Sequence, residues 1–340
     1  MKPEFFAILR SPATLIVVAL LVCVPFVSPT YYLHLAILCL VYIGLSLSWN
    51  IIGGIAGQLS LAHSLFVAIG AIFTSALVLR LGFNMWLAIA IATVLAVAVG
   101  AAIAWLNFRF HLGPLSFALI TLAFAEMAQL LVIGWEFLGG ASGLYLPKDV
   151  GRLSEFQFGS AQNYYWLFLA LALLAQVVNL AVLNSPLGYF LRALRDNENA
   201  AQAVGVAVLR NQIAAMVISA VLCTLIGAAY ARYMSYVDPY LFASPTLTIE
   251  IVLFATVGGL GTRFGPVLGA LVLLPVGELL RAHLGGTMPG IHYVIYGVMV
   301  VLIIMFQPTG IAPAIERFVG RLTSKAGRGS SAASSNAAGA

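Results

Sequence analysis

The chain has 340 residues, of which 62% are hydrophobic and 8% charged, and its formal net charge is +5. A soluble globular protein covers its surface with roughly 25% charged residues, so this composition excludes a water-soluble fold. In a bilayer the apolar surface faces lipid, and the backbone must close its hydrogen bonds within helices or a closed barrel. The apolar stretches are continuous rather than alternating, which predicts an all-α integral membrane protein. The positive charge would suggest nucleic acid in a soluble domain. Here it reads as Arg and Lys enrichment in cytoplasmic loops, and no nucleic-acid partner is expected.

A window of about 19 residues predicts about ten transmembrane helices. The first covers 13–27, behind Lys2 and Arg10. It reads as a helix rather than a cleaved signal: no small-x-small site follows, Pro25 and Pro29 lead into another apolar run, and Val22 is bulky where a lipoprotein box needs a small residue. The others fall near 33–53, 59–79, 85–105, 115–135, 164–183, 212–234, 246–260, 266–284 and 291–306. Cys23, Cys39 and Cys223 all lie in apolar stretches and read as small core residues, not a disulfide framework.

With the N-terminus inside, the cytoplasmic segments hold Lys2, Arg10, Arg109, Arg192, Arg195, Arg210, Arg263, Arg317, Arg321, Lys325 and Arg328. The outside holds Arg80, Lys148, Arg152, Arg232 and Arg281. This asymmetry predicts a multi-pass protein of the cell (inner) membrane with both termini cytoplasmic. Residues 136–163 form a long outside loop and 184–211 a long inside loop. Residues 1–316 make one transmembrane domain. Residues 317–340 make a cytoplasmic tail, basic and then disordered, since its Ser- and Ala-rich end has nothing to bury.

The inside loop is the most informative segment. Ser185-Pro186-Leu187-Gly188 stops a helix. Within Arg192 to Gly205, Asp196 or Asn197 caps a short helix, Gly205 ends it, and Ala200, Ala201 and Ala203 allow close approach of another protein. The alternative is a solvated connecting loop.

Polar residues at membrane depth cost roughly 2.5 to 3.5 kcal/mol for a charge at a helix centre, so Glu126, midway along the fifth span, stands out. It reads either as a wall of a translocation path, facing the bundle interior, or as a carboxyl that fixes helix packing. Glu250 and Glu278 lie nearer helix ends, within reach of water. Asn50, Gln58, Ser60 and His63 cluster around Gly53, Gly54 and Gly57. Two readings fit them: a Gly-rich helix break at membrane depth, packed or lining a cavity, or an ordinary cytoplasmic turn. The Gly258-Gly259 segment brings Arg263 to the inner surface. Gly140-Ala141-Ser142-Gly143 matches the surroundings of an intramembrane serine nucleophile, with His283 and His292 as bases, but Ser142 falls in a polar loop where that chemistry needs no membrane. The histidines His34, His63, His111, His283 and His292 show no metal-binding spacing, so no metal site is expected.

Ala200-Ala201 followed by Gly205 resembles the Ala-Ala-x-x-x-Gly coupling loop of ABC importer permeases, departing where Asn199 occupies the glutamate slot and Glu198 sits one residue early. Four segments together resemble the LivM-type permeases of branched-chain amino-acid importers. They are Gly57-Gln58-Leu59-Ser60-Leu61-Ala62-His63, Gly139-Gly140-Ala141-Ser142-Gly143-Leu144, Leu194-Arg195-Asp196-Asn197-Glu198, and Gly258-Gly259-Leu260-Gly261-Thr262 with Gly265-Pro266. The resemblance implies a type II ABC importer permease-like bundle that is not itself an enzyme. Its implied partners are a second permease subunit, two cytoplasmic ATP-binding subunits, an extracytoplasmic substrate-binding protein and membrane lipid. It implies coupling to the ATPase through Arg195, Asp196, Glu198, Asn199, Ala200, Ala201 and Gly205. Glu126, Asn50, Gln58 and Ser60 are then candidates for the translocation path. No cofactor is expected in the chain, because Lys2, Lys148 and Lys325 do not follow glycine as a P-loop lysine would; ATP belongs to the partners. Relatives of the superfamily import urea or amides, and a secondary transporter would also be a ten-span bundle, so both stay open as alternatives.

Overall fold

The computed structural model describes residues 29–110, 113–147, 149, 151–284, 291–307 and 309–314, together with Pro25. Apart from Pro25, the predicted first span, residues 13–27, and the tail, 317–340, lie outside the described residues. The remaining nine predicted spans are all helical. They are α1 (Thr30–Ile55), α2 (His63–Leu81), α3 (Met85–Phe110), α4 (Pro114–Gly134) and α5 (Ala161–Asn184), then, beyond the helix pair α6 (Pro186–Asp196) and α7 (Glu198–Ala203), α8 (Val208–Met234). After a single turn, α9 (Pro239–Phe242), come α10 (Pro245–Gly258), α11 (Gly265–Leu284) and α12 (Ile291–Phe306). Among the described residues, eight helices are long and apolar enough to cross a membrane.

Helix starts follow a repeated device. Ser185, Asp238 and Ser244 each accept a backbone N–H from the first turn while a proline occupies the first helical position, where its missing donor costs nothing. Asn197 caps α7 by accepting the Ala200 N–H at 3.0 Å, and Gly205 closes that turn at φ +92°, as a left-handed C-terminal glycine does.

Helices α1, α2 and α8 form the centre of the bundle, with α3 against α8, α5 and α11 against α1, and α10 against α11. Their neighbouring ends fall into two groups. One end gathers residues 54–58, 184–211 and 258–265. The opposite end gathers 135–163 and 235–245, joined by a two-residue ladder, β1 (Leu144–Tyr145) antiparallel to β2 (Tyr236–Val237). In that opposite loop Asp149 accepts from the Tyr164 hydroxyl and from the N–H groups of Gly151, Phe158 and Gly159. Burial alone would push its carboxyl up, but these four donors outweigh it and hold the group below the usual carboxylate range.

Candidate functional site

The site begins with the failure of α1 to continue. Its last residues, Ile51–Ile55, wind as a π-helix, a local widening of the helix often found at functional sites. Gly57 then takes φ +70°, and the chain turns back into the bundle instead of across its surface. Leu61 N–H donates to Thr121 Oγ1 of α4 at 2.9 Å and Ser64 N–H to Thr248 Oγ1 of α10 at 2.7 Å. His63 Nε2 meets Ser219 Oγ at 2.7 Å, a point about 16 Å along α8 from Val208 at roughly 1.5 Å per residue. Ser60, His63 and Ser64 are fully buried. Of the two readings the residues allowed, the ordinary surface turn is therefore set aside: α2 starts inside the bundle, and in the segment before it Ser60 and Ala62 are buried while Gly57 and Leu59 are exposed at its mouth. The Ser219 hydroxyl donates to the Ser48 carbonyl at 2.6 Å, so it accepts from His63, which places the histidine proton on Nε2.

Three segments far apart in the chain meet at the mouth of this break. Arg195, at the end of α6, donates to the Gly54 carbonyl at 2.8 Å, and its aliphatic stem lies over Gly57 so closely that a Cβ there would collide with it. Asn50 accepts the Gly261 N–H at 2.9 Å and donates to Asn179 Oδ1 of α5 at 3.1 Å. Trp49 Nε1 donates to the Ser60 carbonyl at 2.8 Å. The end of α1, the α6–α7 pair and the α10–α11 turn are thus tied by hydrogen bonds, each to a backbone group left unpaired by a helix end or a turn. A cleft of about 370 Å³ opens beside the knot, lined by Gly57, Gln58, Asn107, Arg195, Asn199 and Gln212 among others.

The α6–α7 pair packs against the bundle through Leu191 and Leu194, and Ala201 of α7 is buried with Leu194 and Val208. Ala201 therefore cannot meet another protein, which corrects the expectation that it offers a docking surface. A small residue allows close approach to whatever lies beneath it, and here that is the chain's own Leu194. Asp196, Glu198, Asn199, Ala200 and Gly205 are exposed, and so is Val204, 82% exposed, which sequence reasoning passed over although an exposed valine beside a helix-ending glycine was its available signal.

Glu126 is not part of this site. It is exposed on α4, away from the interior of its own chain, and the expectation that it faces inward is corrected. Which side of an apolar helix turns inward is set by its neighbours, and α4 buries Phe117, Thr121, Ala125 and Val132 instead. A carboxyl that the bundle does draw inward is that of Glu250, half-buried, which accepts the Tyr42 hydroxyl at 2.7 Å. The residues placed it near a helix end because the span was started at 246, whereas α9 and the turn after it, with Phe242 and Ala243 fully buried, extend the buried segment upstream. Asn179 was also missed; its signal was a lone amide in an apolar run. The Ser142 hydroxyl donates to the Gly139 carbonyl at 3.0 Å, and His283 Nδ1 bonds the Leu279 carbonyl of its own helix.

A polytopic bundle with a broken helix at its centre and a charged helix pair tied beneath the break has the architecture of the membrane subunit of a transport system. The chain belongs to the family described as branched-chain amino acid transport system / permease component, whose family model matches residues 31–304. It is 30% identical over 327 residues to the high-affinity branched-chain amino acid transport system permease protein LivM of Escherichia coli (strain K12), covering 88% of this chain and 75% of that protein. It is 29% identical over 315 residues to the protein of the same name from Salmonella typhimurium, covering 85% and 72%. A probable branched-chain amino acid transport permease protein LivM of Methanocaldococcus jannaschii is 28% identical over 238 residues, covering 67% and 68%. No solved structure matches significantly.

Proposed function

We propose that this chain is the permease subunit of an ATP-driven importer of branched-chain or other apolar amino acids, and that it passes substrate by alternating access. Family membership over residues 31–304 supports the transport role, and the names of the relatives support the substrate class. In this reading the chain pairs with a second permease, two ATP-binding subunits dock on its cytoplasmic face, and an extracytoplasmic binding protein delivers the ligand. Both termini are cytoplasmic, and ATP is bound and hydrolysed by the partners.

The observation that carries the mechanism is the Arg195 knot. Exposed Glu198, Asn199, Ala200 and Val204 form the contact with an ATP-binding subunit. Movement of α6–α7 pulls on the Gly54 carbonyl through Arg195, and the Asn50 bridge spreads it to the α10–α11 turn and to α5. The segment so moved is the break around Gln58 and Ser60, where backbone is held by side chains and not by an uninterrupted helix. Hence this is the place where the bundle yields at least cost.

The test is a bulky residue on the exposed face, Ala200→Trp or Val204→Trp. Neither position is buried, so membrane insertion is expected to be normal. Uptake, ligand-stimulated ATP hydrolysis and co-purification of the ATP-binding subunits are expected to fall together, while ligand binding by the isolated binding protein is unchanged. Full uptake and full co-purification in both variants would overturn the coupling role.

A further inference from the structure

Helices α4 and α5 are equally little enclosed, each with 28% of its most apolar stretch buried. Their outer faces differ in chemistry. On α5 the polar exposed residues, Gln162, Asn163 and Asn184, sit at the helix ends, and between them the exposed Ala170, Leu173, Leu174, Val177 and Ala181 are apolar, which suits lipid. On α4 the exposed residues Ser116, Leu119, Ala123, Glu126, Met127 and Leu130 recur at intervals of three and four, so they form one stripe along the helix. Glu126 lies about 18 Å along α4 from Pro114, in a helix roughly 31 Å long, which puts it near mid-bilayer. Among the described residues it has no hydrogen-bond or ion-pair partner. A carboxyl at that depth is costly against acyl chains, and such residues face bundle interiors or polar paths. The interior of this chain is excluded by its exposure. Ser116 and Ala123, small and on the same stripe, permit the close helix approach that membrane interfaces use.

We propose that this stripe of α4 is the seam with the second permease subunit, and that Glu126 lies there on a polar path and not against lipid. The inference rests on the importer reading above, which supplies the second permease; the seam assigns the surface that meets it. The demand is physical: one exposed face carries a carboxyl that acyl chains solvate poorly, and the equally exposed mid-section of α5 carries none.

The experiment uses the complete importer in its native membrane, with Cys23, Cys39 and Cys223 replaced by alanine and single cysteines introduced at Ala123, Met127, Leu174 or Val177. Labelled with a photoactivatable benzophenone maleimide and irradiated, Ala123→Cys and Met127→Cys are expected to link to a second permease chain, while Leu174→Cys and Val177→Cys form no such adduct. A link between two copies of this chain also supports the seam, since a second copy then fills that place. Adducts confined to one copy, for instance with residues 1–28, would overturn it, as would linking at α5 alone or at none of the four. A cysteine at Glu126 is expected to react with a small charged thiol reagent that leaves Val177→Cys unmodified; equal resistance at both would show lipid at the stripe. Failure of ATP-hydrolysing subunits to co-purify would remove the importer reading, and the seam with it. Their presence together with unlinked Ala123 and Met127 would sink the seam alone.

Discussion

Helix α1 buries 83% of its most apolar stretch and α4 only 28%, although both are long and apolar enough to cross a bilayer. The difference lies in where their polar groups go. In α1, Ser46 donates to the Ile251 carbonyl, Ser48 to the Gly44 carbonyl, and Asn50 bridges two other segments. All three side chains are fully buried. In α4 only Thr121 turns inward to accept a partner, the Leu61 N–H, while Ser116 and Glu126 point out. Between two helices of similar apolar content, the one whose polar groups are paired inside the chain is central, and the one whose polar groups are left outside awaits something beyond the chain.

Core truncation separates the two helices most sharply. Leu45 of α1 is fully buried, whereas Leu130 of α4 is 66% exposed. Leu45→Ala leaves a cavity and is expected to lower the stability of the purified protein by about 3 kcal/mol, read as an early thermal transition in detergent. A loss as small as that of a surface change would mean that α1 is not the centre of the bundle. Next in size, Asn50→Leu strands the Gly261 N–H and one end of Asn179, at a cost of about 1–2 kcal/mol, and is expected to lower uptake beyond what stability explains. Unchanged uptake with a stable protein would detach the knot from transport. The smallest effect is expected at Leu130→Ala, within about 0.5 kcal/mol for the isolated chain. A large loss there would show that α4 already packs against something in its own chain.

Much of this was legible in the residues. Nine of the ten predicted spans are helices with nearly the predicted ends, because bilayer thickness converts directly into a run of apolar residues. Gly57, Arg195 and Gly261 each lay in a segment singled out from the sequence. Their meeting was not legible, since Gly54 and Arg195 are 141 residues apart and Asn50 and Gly261 are 211 apart. The burial of Ala201 and the exposure of Glu126 were misjudged for one reason: a single helix carries no mark of which neighbour it will meet.

By itself, the sequence determined that this is a helical membrane protein, where its spans run, where the short helix α7 starts and stops, and which family it resembles. Those properties depend on local matters: the length of apolar runs, the missing donor of proline, the left-handed turn of glycine. Only the tertiary structure decided that the chain re-enters the bundle after Gly57, that Arg195 ties the helix pair to that break, and that Glu250 is half-buried against Tyr42 while Glu126 is exposed. Each of these depends on hydrogen bonds and packing between segments distant in the chain, and a buried polar group finds its partner only after the helices have assembled around it.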